Sequence, residues 1–228
     1  MIQSVFLDLD NTLRDFTRSE ANALGQTLRE RGISPTEEML RRYHVINMEC
    51  WERLKTGELT RDQVMAVRFD QLLAEYHYTG SGQEISQRYE TLLAGEHALL
   101  PGARALLETL APRYHLYAAS NGSAAVQYQR LRDAELMGYF HGIFISEEVG
   151  FDKPDPRFFQ QCFDTIPGFS RETAIMVGDS LTSDIQGGRG AGIRTCWYTP
   201  QQPEKEPQPQ PDFVITNLAQ LPDLLAGL

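Results

Sequence analysis

Acidic and hydroxyl side chains gather where apolar runs of this sequence stop. In "VFLDLDNTL" (residues 5–13) the run Val5-Phe6-Leu7 leads into Asp8, Asp10 and Thr12. The run "AIMV" ends in "GDSLTSD", which carries Asp179 and Asp184. "HLYAA" ends in Ser120, Asn121 and Gly122, and "GIFI" leads through "SEEVG" to "FDKPD" with Lys153. Carboxylates packed together repel one another and take up protons unless a counter-charge is present. A divalent cation removes that conflict, and an all-oxygen donor set suits Mg²⁺. Lys153 adds a positive charge able to hold a phosphate oxygen, while Ser120 and the amides around Asn121 can donate to another. The set is suited to metal-assisted chemistry on a phosphorylated substrate.

The spacing of the first pair refines that chemistry. In an extended segment Asp8 and Asp10 point to the same side and Leu9 turns toward the core. Asp8 can then take the phosphoryl group as a nucleophile. Asp10 can protonate the leaving alkoxide and later deprotonate the water that hydrolyses the aspartyl-phosphate. Mg²⁺ and Lys153 supply charge to the transferring oxygens. An EF-hand calcium loop is excluded, because the twelfth position from Asp8 is Ser19 and an apolar strand precedes the motif.

These groups need a scaffold that brings distant strand ends together. Apolar runs of strand length occur at Ser4–Leu7, His115–Ala119, Gly142–Ile145, Ala174–Val177, Thr195–Tyr198 and Phe213–Ile215, most of them separated by helical patterns. That alternation predicts an α/β fold with a parallel sheet covered by helices on both faces. Ligands of open α/β sheets bind beyond the carboxyl ends of the strands, where the four motifs lie. Residues 15–99 read differently, with no convincing strand and a series of helix starts at "SPTE" (Ser34 cap), "TRDQ" (Thr60 cap) and "SGQE" (Ser81 cap). Gly32 and Gly57 fall where helices stop, and Met39, Tyr43, Ile46, Cys50 and Leu54 recur at helical spacing. The reading is a helical bundle inserted after the first strand (15–99) and a core made of 1–14 and 100–228. The stretch 199–212, dense in Pro and Gln, reads as an exposed connector.

Composition narrows the function classes. A net charge of −10 over 228 residues argues against a nucleic-acid polymer as partner but not against a small anionic substrate. Three widely spaced cysteines, Cys50, Cys162 and Cys196, support neither a zinc knuckle nor a disulfide framework. No run approaches the roughly 20 apolar residues of a membrane span, and no basic-then-apolar leader opens the chain. The expectation is a cytoplasmic protein with no membrane partner.

The four motifs, in this order, resemble the haloacid dehalogenase superfamily along the whole chain. Asp8 and Asp10 match its first motif, Ser120 its second, Lys153 its third, and Asp179 and Asp184 its fourth. The resemblance implies a Rossmann-like core with a type C1 helical cap that closes over the site and chooses the substrate. It also implies Mg²⁺ held by the Asp8 carboxylate, the Asp10 backbone carbonyl and Asp179, with Asp184 and Thr12 in support. "SNGS" is reminiscent of the dehalogenases themselves, but those lack an aspartate at the place of Asp10 and use no metal, so phosphatase is favoured. A phosphonate hydrolase would want a cap lysine, and Lys55, the single lysine of residues 15–99, stands at a helix end. "SEEVGFDKPDPRFF" and "GDSLTSDIQGGRGAGIRTCWYTP" resemble the pyrimidine 5′-nucleotidases of the superfamily. That pattern commonly has Gly, Ala or Glu at the position of Asn11 and Thr at that of Ser120. The substrate so implied is a small phosphorylated metabolite, a pyrimidine nucleoside monophosphate. Phosphoglycolate or a sugar phosphate is the alternative within the enzyme class, and a non-catalytic phospho-ligand binder the alternative outside it. Tyr43, His44, Asn47, Trp51, Arg68 and Phe69 are the cap side chains able to face a base or ribose, against their plainer reading as bundle packing.

Overall fold

The computed structural model describes residues 1–228. Six strands, β1 Ser4–Leu7, β2 His115–Ser120, β3 Gly142–Ile145, β4 Ala174–Gly178, β5 Arg194–Tyr198 and β6 Phe213–Ile215, form one sheet. Their order is β3-β2-β1-β4-β5-β6 and every neighbouring pair is parallel. The parallel α/β sheet expected from the apolar runs is therefore present, with each strand within a residue of its expected bounds. Ten α-helices accompany it: α1 Phe16–Glu30, α2 Glu37–Lys55, α3 Arg61–Glu75, α4 Gly82–Ala94, α5 Ala103–Leu110, α6 Ala124–Asp133, α7 Ser146–Val149, α8 Pro156–Asp164, α9 Gln186–Gly190 and α10 Leu221–Ala226. None is long and apolar enough to cross a membrane.

The chain divides into two compact units, 1–15 with 98–228, and 16–97. In the first, strand alternation sends side chains to two faces. Val5, Leu7 and Leu9 join Leu106 and Leu107 of α5, Leu131 of α6 and Leu221 of α10 in one core cluster. Phe6 points the other way and packs with Tyr117, Met176 and the α8 residues Phe158, Phe159 and Phe163. Helices on both faces explain why the central strand β1 is buried at every position and apolar from Val5 to Leu7. The chain runs from β1 outward through β2 and β3, then returns to the other side of β1 for β4. The direction of winding thus reverses beside β1, and the crevice beyond its carboxyl end is the natural ligand position.

Two hydrogen bonds pin the segment that leaves this unit to the one that re-enters it. Asp15 N donates to Ala98 O at 3.1 Å and Leu100 N to Leu13 O at 3.0 Å, around an antiparallel bridge between Arg14 and Leu99. The stretch 199–212 contains neither helix nor strand, and it is anchored at its end by Asp212, which accepts from Thr195 N (2.7 Å) and Thr195 Oγ1 (2.8 Å).

The second unit consists of α1 to α4. Thr60 forms the expected capping box with Gln63. The cap of α2 is Thr36 rather than Ser34: its hydroxyl accepts from Met39 N at 3.1 Å, which places Pro35 before the helix. Ser81 makes no capping bond, and the Gly82 amide at the start of α4 donates to Asp70 on α3 at 2.7 Å. That approach needs a glycine, since a Cβ there would lie 2.3 Å from the Ala66 carbonyl. Inside the bundle Tyr43 and Phe69 stack at 5.0 Å beside Tyr89. Asn47 donates to Glu20 (2.7 Å) and accepts from Arg68 (3.0 Å), and His44 meets the other Glu20 oxygen at 2.6 Å. Tyr43, Asn47, Arg68 and Phe69 are thus interior residues of the bundle.

Candidate active site

The core residues named from the sequence gather beyond the carboxyl ends of the strands, with Asp184 in the helical turn Leu181–Ile185 that follows β4. Asp8 follows β1 directly, Ser120 ends β2, Lys153 lies beyond α7, and Asp179 follows β4. Lys153 is only 1% exposed. Its Nζ donates to Asp8 Oδ1 (2.8 Å), to Asp184 Oδ1 (2.6 Å) and to the Ala119 carbonyl (2.5 Å). Asp184 is fixed in turn by accepting from Ser180 N at 3.0 Å, and it folds back so closely that any Cβ at Gly178 would overlap it. Thr12 donates to Asp179 Oδ1 at 3.3 Å, and the Trp197 indole holds the Asp179 carbonyl at 2.7 Å.

The result is a buried group of like charges. Oxygens of Asp8, Asp179 and Asp184 lie within 4.8 Å of one another, with Lys153 as their shared counter-charge. Burial pushes the Asp8 carboxyl up to about 7; Lys153 opposes the rise, while Asp184 and Asp10 add to it. Asp179 is raised well above the carboxylate range by burial and then by Asp8 and Asp184. Burial also works against the Lys153 charge, but the two carboxylates outweigh it and hold the ammonium above its ordinary pKa. Three crowded carboxylates short of positive charge, all offering oxygen, are the donor set that a hard divalent cation such as Mg²⁺ fits. This group contains the Asp184 side chain, whereas the Asp10 side chain turns elsewhere.

Asp10 instead meets three donors: Arg130 Nη1 at 2.8 Å and Arg14 Nη2 at 3.3 Å on Oδ1, and Gln127 Nε2 at 2.7 Å on Oδ2. Burial would raise this carboxyl, but Arg130 and Arg14, helped by Gln127, hold it below its ordinary value. The turn that follows supports the arrangement. Leu13 N and Arg14 N both donate to the Leu9 carbonyl at 2.9 Å, and Asn11 takes φ 59°, a left-handed conformation that Asn tolerates. Gln127 Nε2 also donates to Ser120 Oγ at 3.0 Å, so one amide links the first and second motifs. The Asn121 side chain braces the lysine loop, accepting from Lys153 N (2.8 Å) and donating to Lys153 O (2.9 Å).

Arg14, Gln127 and Arg130 lie outside the four sequence motifs. Their signal is faint: α6 buries Val126, Gln127, Arg130 and Leu131, a stripe in which Gln and Arg occupy inward positions of an otherwise apolar spacing. Arg14, four residues past Asp10, reads as an ordinary charge after a turn.

Comparisons with known proteins agree with the geometry. The pattern of the haloacid dehalogenase-like hydrolase family matches residues 2–192. The HAD-hydrolase YfnB of Bacillus subtilis is 39% identical over 223 residues, covering 98% of this chain and 95% of that protein. The pyrimidine 5′-nucleotidase PynA of Streptococcus pneumoniae is 39% identical over 222 residues, covering 97% and 94%. A crystal structure of YfnB bound to magnesium superposes with a TM-score of 0.93 at 38% identity, covering 98% of each chain.

Proposed function

This chain belongs to the haloacid dehalogenase-like hydrolase family, and from that premise we propose that it is a Mg²⁺-dependent phosphomonoesterase acting on pyrimidine nucleoside 5′-monophosphates. The observation that carries the reading is the buried Lys153 held between Asp8 and Asp184 with Asp179 beside them. The substrate class is supported by the likeness to a pyrimidine 5′-nucleotidase, and the metal by the oxygen donor set and by a relative's structure bound to magnesium.

Asp8 attacks phosphorus and carries the phosphoryl group as an aspartyl-phosphate. Lys153, anchored at three points, gives its charge to the phosphoryl oxygens without rearranging, and Ser120 binds another. Asp8, Asp179 and the Asp10 backbone carbonyl would hold Mg²⁺, with Asp184 and Thr12 in support. The ion supplies charge that lowers the repulsion between an anionic nucleophile and an anionic substrate. Asp10 gives a proton to the leaving alkoxide, then takes one from the water that frees Asp8. A doubly charged phosphate arriving beside Asp10 opposes its two guanidinium partners and favours the protonated form that the first step uses. The helical unit, 16–97, serves as the cap that selects the rest of the substrate.

The test is phosphate release with Mg²⁺ across nucleoside monophosphates, phosphoglycolate and sugar phosphates. Pyrimidine monophosphates should exceed the other classes in kcat/KM by about tenfold or more. Equal rates across the classes would remove the nucleotidase assignment, and no metal-dependent release from any ester would remove the phosphatase one.

A further inference from the structure

We propose that Arg14, Gln127 and Arg130 are positioning residues for Asp10, and that through it they set how well the enzyme expels alkoxide leaving groups. The proposal rests on the phosphomonoesterase reading and deepens it by giving a role to three side chains outside the four motifs.

A carboxylate has about four lone-pair positions. On Asp10 three are taken, by Arg130, Arg14 and Gln127, which leaves one for a proton in transfer. The direction of that one is set by burial. Both guanidinium side chains are 0% exposed while the Asp10 side chain keeps 22% of its surface, so the donors close its inner side and its outer side stays open. Gln127 cannot turn its amide over. Its Oε1 accepts from Arg14, and both hydrogens of its Nε2 are used, on Asp10 and on Ser120. A flip would set Oε1 against the Asp10 carboxylate.

The arrangement is a poor one for stability alone. Two guanidiniums are buried around one carboxylate, and Arg14 leaves Nε and Nη1 without a hydrogen-bond partner. Burying charge in excess of its partners costs more than apolar side chains of the same volume would. What the arrangement does provide is a carboxylate fixed in two directions at the edge of the site. Orientation of that kind is decisive for proton transfer: a displacement of about 1 Å can cost on the order of 10²-fold in rate.

Leaving groups separate this role from a merely structural one. A nitrophenolate departs as an anion, whereas a nucleoside alkoxide needs the proton from Asp10. Misplacing Asp10 therefore harms the alkyl ester far more than the aryl one. The experiment measures kcat/KM for a pyrimidine nucleoside 5′-monophosphate and for p-nitrophenyl phosphate in wild type, Arg130→Gln, Gln127→Leu and Arg130→Lys. Arg130→Gln should lose about 100-fold on the nucleotide and only a few-fold on the aryl ester, with Arg130→Lys restoring part of the loss. Combined with Asp10→Asn, it should cost nothing beyond Asp10→Asn alone. Gln127→Leu, which removes no charge, carries the same ratio test should Arg130→Gln fail to fold. Equal losses on the two esters, or additive losses in the double variant, overturn the proposal while leaving the phosphatase reading intact. Absence of Mg²⁺-dependent turnover of either ester by wild type overturns both.

Discussion

Around Asp8, three carboxylates share one lysine; around Asp10, two residues further on, two guanidiniums and an amide share one carboxylate. Both aspartates leave the same strand, yet burial among like charges raises the first to about 7 while opposite charges hold the second below its ordinary value. Side chains two positions apart are divided by the tertiary structure into an anion-rich half, short of positive charge, and a cation-rich half. The anion-rich half is suited to a metal and a phosphoryl group. The cation-rich half keeps one carboxylate oriented beside them, as the proton transfers proposed for Asp10 require. Divergent environments of this sort are how two chemically identical groups take different parts in one reaction.

The largest effect is expected from neutralising Asp8 in the anion-rich half. Asp8→Asn should reduce kcat by about 10⁴-fold or more, because the nucleophile is gone. Phosphate-release kinetics with acid-quench detection of the phosphoenzyme would read it, and a phosphorylated Asp8→Asn protein would contradict the assignment. Next in size is Lys153→Met, which strips the anion-rich half of its counter-charge. It should cost about 10²–10³-fold in rate and about 3–5 kcal/mol of stability in metal-free protein, the cost of leaving buried charges unpaired. Denaturant unfolding with and without Mg²⁺ checks this, and a variant as stable as wild type in EDTA would show that Lys153 does not balance the group.

The smallest effect is a pH dependence. Burial raises the Asp8 carboxyl from 3.8 to about 7 in the folded protein, so between roughly pH 4 and pH 7 this group holds more proton in the folded protein than in the unfolded chain. Metal-free stability must then fall as pH rises through that window. A cation that needs the carboxylates ionised should raise Tm by several degrees more at pH 8 than at pH 5. Equal Mg²⁺-induced shifts at the two values would mean that the acidic group is not where the ion acts.

The anion-rich half was open to inspection in the sequence and the cation-rich half was not, for a physical reason. Lys153 lies one short helix past a strand, while Asp8, Ser120 and Asp179 stand at the ends of apolar runs, and strand ends are visible from periodicity alone. The six strands were legible for the same cause: Val5, Leu7 and Phe6 are apolar on both faces, as a strand covered on two sides must be. Gln127 and Arg130 reach Asp10 across 117 and 120 residues of chain, and nothing local marks an inward Arg on a helix as a partner for a distant acid. The helix caps divide along the same line. Thr60 needs only its own neighbour Gln63 and is readable, whereas the start of α4 is held by Asp70, a side chain from another helix.

The narrow tie between Leu13–Asp15 and Ala98–Leu100 has a consequence for the history open to such a chain. Both ends of a long insertion are fastened within one unit by a few main-chain bonds, none of which depends on the identity of a side chain. The entropy of closing a loop rises only slowly with its length. The α/β unit can therefore accept at this one doorway an insert of almost any size, shortened, lengthened or exchanged, while the residues that do the chemistry keep their coordinates. A fold with such a doorway can acquire new preferences by recombination instead of by rebuilding its catalyst.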